Sequence, residues 1–201
     1  ALNQKPKMVF ITNPSRFHSE CAIEALKKGS FVFIEKPLAT DIESAEKILD
    51  LEKHIGKKLC MVGYQYRYNP VIIKLKELLQ KEIIGKVING QIANGEYLPY
   101  WHPYEDYSKS YAALDKLGGG ALLTQIHDFD YIVWLFGIPK SVYCIGGKLS
   151  NLNIDVEDTV QINLQMENKV PLISFKNAYA SDPVSAFGGV VACNFKISEK
   201  L

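Results

Sequence analysis

"SFVFIEKPLAT", residues 30–40, decides how the first third of this chain is read. Phe31-Val32-Phe33-Ile34 is an unalternated apolar run, the pattern of a strand buried on both faces. It stops at two adjacent opposite charges, Glu35 and Lys36, and Pro37 fixes the exit. Charges at that place need no burial if the strand is parallel to its neighbours. In open parallel sheets ligands bind in the crevice outside the carboxyl ends of the strands.

The flanking segments carry the same logic outward. "KMVFIT" (7–12) and "KLCMVGY" (58–64) are two more short apolar runs. Between them lie helical patterns. "NPSRFHSECAIEALKKG" (13–29) has Asn13 as cap, Pro14 in the first helical position and Gly29 at the exit. Thr40 and Glu43 form a capping-box pair that opens a helix to about His54. Strand–helix–strand–helix–strand of this kind predicts a parallel sheet covered on both faces.

The pattern changes after Tyr64. Asn69-Pro70 starts a helix, "VIIKLKELLQKE", and the strand-like "KVINGQIANGEYL" follows. A loop dense in aromatics, "PYWHPYEDYSKSY", leads to "GGGALLTQIHDFDYIVWLFG" (118–137), a helix with a glycine opening and a stop at Gly137. In "DTVQINLQMEN", Val160, Ile162, Leu164 and Met166 alternate with polar residues, which describes a sheet with one buried face. The expectation is two domains, residues 1–64 and 65–201. The last stretch, "SAFGGVVACNFKISEKL" (185–201), matches no closing element, so further C-terminal strands are expected.

Bulk composition excludes several classes. The 201 residues are 47% hydrophobic and 22% charged, with net charge +1. That gives no global attraction to nucleic acid or anionic membrane. No apolar stretch reaches the roughly 20 residues of a membrane helix. The four cysteines are scattered, with no paired spacing for zinc or a disulfide framework. The expected setting is cytoplasmic, with no metal, no nucleic-acid partner and no membrane partner.

"VFITNPSRFHSECAIEALKKGSFVFIEKPLAT", "VGYQYRYNP" and "GGGALLTQIHDFDYIVWLFG", in this order, resemble the glucose–fructose oxidoreductase / inositol dehydrogenase family, Gfo/Idh/MocA. The resemblance runs to about residue 180. The stretch "EYLPYWHPYEDYSKSYAALDKLGGG" is similar to the branch found with bacterial surface-sugar biosynthesis. The implied fold class is α/β: a partial Rossmann-type parallel sheet, then an α+β domain with a mostly antiparallel sheet. No GxGxxG occurs in the sequence. By the resemblance, roughly 60 residues, two βα units, are expected before Ala1.

The implied activity is an NAD- or NADP-dependent oxidoreductase that moves a hydride to or from a hydroxyl-bearing carbon of a sugar or nucleotide-sugar. The alternatives are a non-catalytic binding homologue, or an NAD-dependent hydrolase or epimerase with transient oxidation. A homo-oligomer, dimer or tetramer, is expected through the open sheet of the second domain. The resemblance makes Thr12, Asn13, Pro14, His18, Glu35, Lys36 and Arg67 contacts for the dinucleotide. It makes Lys36 and His127 the catalytic pair, and Lys36, Arg67, Trp101, Thr124 and His127 the substrate contacts.

The residues support parts of this on their own. Thr124, His127 and Asp130 fall on one side of a helix at i, i+3 and i+6, within an otherwise apolar segment. An unperturbed histidine near pH ~6.5 suits a general base. The plain alternative for His127 is a core histidine bonded to Asp130. For Asn13 it is a helix cap, for His18 a structural histidine, for Glu35–Lys36 a surface ion pair, for Arg67 and Trp101 surface or core packing. Family members commonly carry aspartate where this chain has Thr124, which cannot ionise.

Overall fold

The computed structural model describes residues 2–83, 85–167, 173–178 and 192–197, the last two stretches as backbone only. Of the closing stretch 185–201, residues 185–191 and 198–201 lie outside the described residues.

Met8–Ile11 (β1), Phe31–Ile34 (β2) and Cys60–Val62 (β3) form a parallel sheet in the order β1-β2-β3. His18–Lys27 (α1) joins the first pair and Ile42–Ile55 (α2) the second. The strands step across the sheet in one direction. Right-handed crossovers therefore place both helices on the same side. Ala22, Ala25 and Leu26 of α1 and Ile48 of α2 close a core over Ile11, Val32 and Ile34. The opposite face shows Met8, Phe10, Phe31 and Met61 exposed. Cover on both faces is thus not what these residues provide. It requires strands added in the other direction, and these three do not reverse.

Local punctuation differs from the expectation in two places. Asn13 caps nothing, because a 3-10 turn at Ser15–Phe17 precedes α1, whose N-cap position is Phe17 without a side-chain cap bond. At α2 the cap is Asp41, whose side chain accepts from the Ser44 amide at 2.8 Å, not Thr40. Asp41 outcompetes its neighbour because a carboxylate accepts more strongly than a hydroxyl. Asn69 does cap Pro70–Gln80 (α3), with Pro70 at the first helical position.

The second sheet has five strands in the order β5-β6-β7-β4-β8. They are Val87–Gly95 (β4), Pro139–Gly147 (β5), Thr159–Met166 (β6), Ile173–Ala178 (β7) and Ala192–Ile197 (β8). All pairings are antiparallel except β4 with β7, so the sheet is mostly antiparallel, as expected. In β6 Val160, Ile162, Leu164 and Met166 are buried, which is the period-two pattern read from the sequence. They pack with Ile92 and with Tyr131, Ile132 and Phe136 of a helix laid across the sheet.

The 118–137 segment is not one helix. It is Ala121–Thr124 (α5) and Ile126–Phe136 (α6), broken at Gln125. Between β4 and α5 the aromatic loop winds into Leu98–Trp101 (α4) and 3-10 turns at Tyr107–Lys109, Tyr111–Ala113 and Asp115–Leu117. It is pinned by a small core of Leu98, Ala112, Ala113, Ala121, Leu152 and Val156.

Candidate active site

The carboxyl ends of β1 and β2 open onto a cavity of about 260 Å³. Thr12, Asn13, Pro14, Ser15 and His18 line one wall, Glu35 and Lys36 another, and Tyr111 reaches in from the aromatic segment. The parallel sheet explains the placement: chain leaving adjacent strands at the same edge must diverge, and the gap is the cleft. Glu35 is exposed and, among the described residues, takes no ion-pair partner. The surface ion pair with Lys36 does not form.

Lys36 turns inward instead. Its Nζ donates to the backbone carbonyl of Thr124. In an unbroken helix that carbonyl would accept from the Asp128 amide. Here the break at Gln125 redirects the Asp128 amide to the Gln125 carbonyl at 3.1 Å, so that the Thr124 carbonyl can take the lysine. Thr124 itself is buried, and its hydroxyl donates back to the Gly120 carbonyl at 2.7 Å.

The start of α5 is set by close approach. Gly120 has φ +100°, and a Cβ there would collide with the Glu157 carboxylate. That carboxylate accepts from the Leu122 amide at 2.9 Å, while the Glu157 carbonyl accepts from Ala121 at 3.1 Å. A negative group at a helix start is favourable for the same reason as any N-terminal anion.

His127 lies in the first turn of α6, 7% exposed, stacked on Tyr66 with ring centroids 4.7 Å apart. Its Nδ1 is buried without a hydrogen-bond partner. Burial, then the nearby Lys36 ammonium, push its pKa down to about 4, against a smaller pull from Asp130. The ring is therefore neutral at neutral pH, which corrects the expectation of an unperturbed base. Nor is it the core histidine bonded to Asp130. Asp130 is held bidentately by Arg67, Nε to Oδ2 at 2.8 Å and Nη2 to Oδ1 at 2.7 Å.

A carboxylate that the i, i+3, i+6 reading passed over sits at the centre. Asp128 is fully buried, with Oδ2 accepting from the Asn94 amide at 3.1 Å. Burial raises its pKa to about 6, moderated by the Asn94 and Tyr131 bonds and the Lys36 charge. Glu96, also raised by burial, lies in the same field. Lys36 is lowered by burial while Glu35, Glu96 and Asp128 pull it back up. The break at Gln125 re-phases α6, so that 127, 128, 131 and 132 point inward. The Asp128-Tyr131-Ile132 spacing was the available signal.

The sequence candidates thus divide. Thr12, Asn13, Pro14, His18, Glu35 and Lys36 meet at one cavity. Lys36 and His127 are close enough for the charge of one to shift the other. Arg67 is committed to Asp130, and Trp101 lines a separate small hollow with Leu98 and Tyr107. Both ring nitrogens of His18 face backbone carbonyls rather than the cavity. Among the described residues no cluster of three His, Cys, Asp or Glu is placed to hold a metal, and no helix is long and apolar enough to cross a membrane.

Comparison with known proteins follows this geometry. Residues 1–64 match the family described as oxidoreductase family, NAD-binding Rossmann fold, and residues 72–183 match the GFO/IDH/MocA C-terminal domain. Inositol 2-dehydrogenase of Corynebacterium glutamicum (strain R) is 28% identical over 166 residues, 81% of this chain and 45% of that protein. The structure of myo-inositol 2-dehydrogenase from Lactobacillus plantarum superposes with a TM-score of 0.79 at 23% identity, over 96% of this chain and 53% of that one, which shows the shared fold. The WlbA dehydrogenase from Chromobactrium violaceum, solved with NADH and UDP-GlcNAcA, gives a TM-score of 0.76 at 26% identity, over 88% of this chain and 50% of that one. This chain therefore spans about half the length of the proteins it resembles. With one family match over residues 1–64 and a second over residues 72–183, which alone spans more than half of it, the chain belongs to the GFO/IDH/MocA oxidoreductase family.

Proposed function

We propose that residues 1–64 form the second half of a dinucleotide-binding domain and residues 65–201 a substrate-binding domain of an NAD(P)-dependent sugar oxidoreductase. The substrate class is a sugar or nucleotide-sugar with an oxidisable hydroxyl, in keeping with the inositol dehydrogenase relatives and the UDP-sugar complex of the WlbA neighbour. The observation that carries the reading is the inward turn of Lys36 from the carboxyl end of β2 to the end of α5, near His127.

The cavity suits the nicotinamide–ribose end of a dinucleotide. It lies at the strand ends, is about 260 Å³ in volume, and offers the Glu35 carboxylate as an uncommitted acceptor for ribose hydroxyls. When bound, the nicotinamide accepts or returns the hydride. The chain's own residues supply the rest. Lys36 donates a hydrogen bond to the substrate oxygen and stabilises its negative charge as the carbonyl forms. His127, neutral, takes the hydroxyl proton. Glu35, Glu96 and Asp128 oppose the loss of charge that burial imposes on Lys36. Arg67 fixes Asp130 and so the pitch of α6.

Assembly as a homo-oligomer through the second sheet fits the exposure of Val142, Tyr143 and Ile145 on its edge strand β5. A cytoplasmic setting fits the unpaired cysteines Cys21, Cys60 and Cys144. Light scattering on the full-length protein tests the assembly, and a monomer refutes it.

Lys36→Met keeps most of the side-chain volume and removes charge and hydrogen bonding. Lys36→Met and His127→Ala should each lower turnover roughly 10²–10⁴-fold with cofactor affinity largely kept. Wild-type turnover in both variants ends the assignment.

A further inference from the structure

Tyr111 comes from the aromatic segment beyond β4, yet it lines the cavity at the ends of β1 and β2 with Thr12, Asn13, Glu35 and Lys36. It opens the 3-10 turn Tyr111–Ala113. Backbone bonds fasten that turn on both sides. The Gly120 amide donates to the Ala112 carbonyl at 3.0 Å, and the Asp155 amide to the Ala113 carbonyl at 3.2 Å. Ala112 and Ala113 are themselves buried in the small core under the segment.

One close approach sets how far this segment leans on the parallel-sheet half. Gly118 has φ +78°. A Cβ there would lie 2.6 Å from Thr40 Cγ2, 2.9 Å from the Arg16 amide nitrogen and 3.0 Å from Ser15 Cβ. Glycine alone meets both conditions without strain. Ser15 belongs to the turn after β1 and lines the cavity that Tyr111 enters. The glycine contact and the tyrosine ring therefore bear on the same strand-end wall.

The surroundings act on the Tyr111 hydroxyl through burial first, then through the charges of Glu35 and Glu105, and together these push its pKa up. The phenol keeps its proton at neutral pH and is available as a donor. Glu35, across the same cavity, is a carboxylate without an ion-pair partner among the described residues, and it only accepts. A donor and an acceptor facing one cavity suit a vicinal diol, in which each hydroxyl can give one proton and take another.

We propose that Tyr111 is a dinucleotide-binding residue whose hydroxyl donates to the ribose diol that Glu35 accepts from, and that the approach at Gly118 brings it to the cavity. The proposal rests on the dinucleotide reading of the cavity given above. It adds that the cofactor is held from both halves of the chain, so that affinity for its nicotinamide end depends on a residue outside the Rossmann-type sheet.

Calorimetric titration of the full-length protein with NADH, NADPH and ADP tests this in wild type, Tyr111→Phe and Gly118→Ala. ADP carries the adenosine end and lacks the nicotinamide ribose. Tyr111→Phe keeps the ring and its packing and removes only the hydroxyl. It should weaken the nicotinamide dinucleotide that wild type binds by about three- to tenfold, the order of one hydrogen bond, with ADP affinity unchanged. Gly118→Ala should weaken the same dinucleotide at least as much. Wild-type dinucleotide affinity in Tyr111→Phe overturns the contact, and so does an equal loss for ADP, which would mark a general effect on the fold. Wild-type affinity in Gly118→Ala overturns the part given to the glycine; if that variant does not fold, Tyr111→Phe decides the contact. Failure of the wild-type protein to bind either NADH or NADPH sinks the dinucleotide reading and the proposal with it, whereas an unaltered Tyr111→Phe beside a binding wild type sinks the proposal alone.

Discussion

Two adjacent buried residues of α6 should give stability opposite pH dependences that nearly cancel in the wild-type protein. His127 is held down to about 4 from an ordinary 6.5. Between those values the unfolded chain binds more protons than the native one, so stability is lost as pH falls. At about 1.4 kcal/mol per pH unit, the gap is worth about 3 kcal/mol. Asp128 is raised to about 6 from an ordinary 3.8. Between those values the native state binds more protons, so stability is gained as pH falls, by a similar ~3 kcal/mol. Both windows lie within about pH 4 to 6.5. Asp128→Asn retains an oxygen for the Asn94 amide, and His127→Asn removes the titrating ring. Urea denaturation followed by tryptophan fluorescence, with Trp134 on the same helix, reads both on the full-length protein. Relative to wild type, Asp128→Asn should worsen by about 3 kcal/mol from pH 7 to pH 4, and His127→Asn should improve by about as much. Differences that are flat, or of the same sign in both variants, refute the burial argument for this pair.

Gly120→Ala combines a left-handed φ with a collision against the Glu157 carboxylate. It should cost about 2–4 kcal/mol and detach the start of α5, seen as a lowered melting temperature and faster amide exchange at Leu122. Arg67→Ala leaves the nearly buried Asp130 carboxylate without its partner, but the guanidinium is 41% exposed. The expected loss is about 1–3 kcal/mol, below the usual range for a fully buried pair, and Arg67→Lys should recover only part of it. A loss under the error of the measurement would show that Asp130 is resolvated without Arg67.

The parallel sheet was legible because three short apolar runs, spaced by helical patterns, admit few other arrangements. Its exposed face was not, because unalternated strands look the same whether one or both faces are covered; handedness, which the runs do not encode, decides it. Glu35 and Lys36 were readable from position at a strand end, whereas Thr12, Asn13, Pro14 and His18 came from the family resemblance. Asp128 was not readable, since helical phase was counted through Gln125 as if the helix were continuous. A break of one residue has no strong composition signal when the segment around it is as apolar as "ALLTQIHDFDYIVWLF". The Asn13 cap failed for a related reason: a 3-10 turn consumed the position before α1 began.

Lys36 is seated on a main-chain oxygen rather than on a side chain. Every residue presents that oxygen, so position 124 can drift in sequence without loosening the lysine. What cannot drift is the interruption itself. A change at Gln125 or Ile126 that let α5 and α6 fuse would hand the carbonyl to the Asp128 amide and evict the lysine, with every side chain of the site still in place. Comparing such proteins by the side chains of the site alone would then score a fused helix as intact.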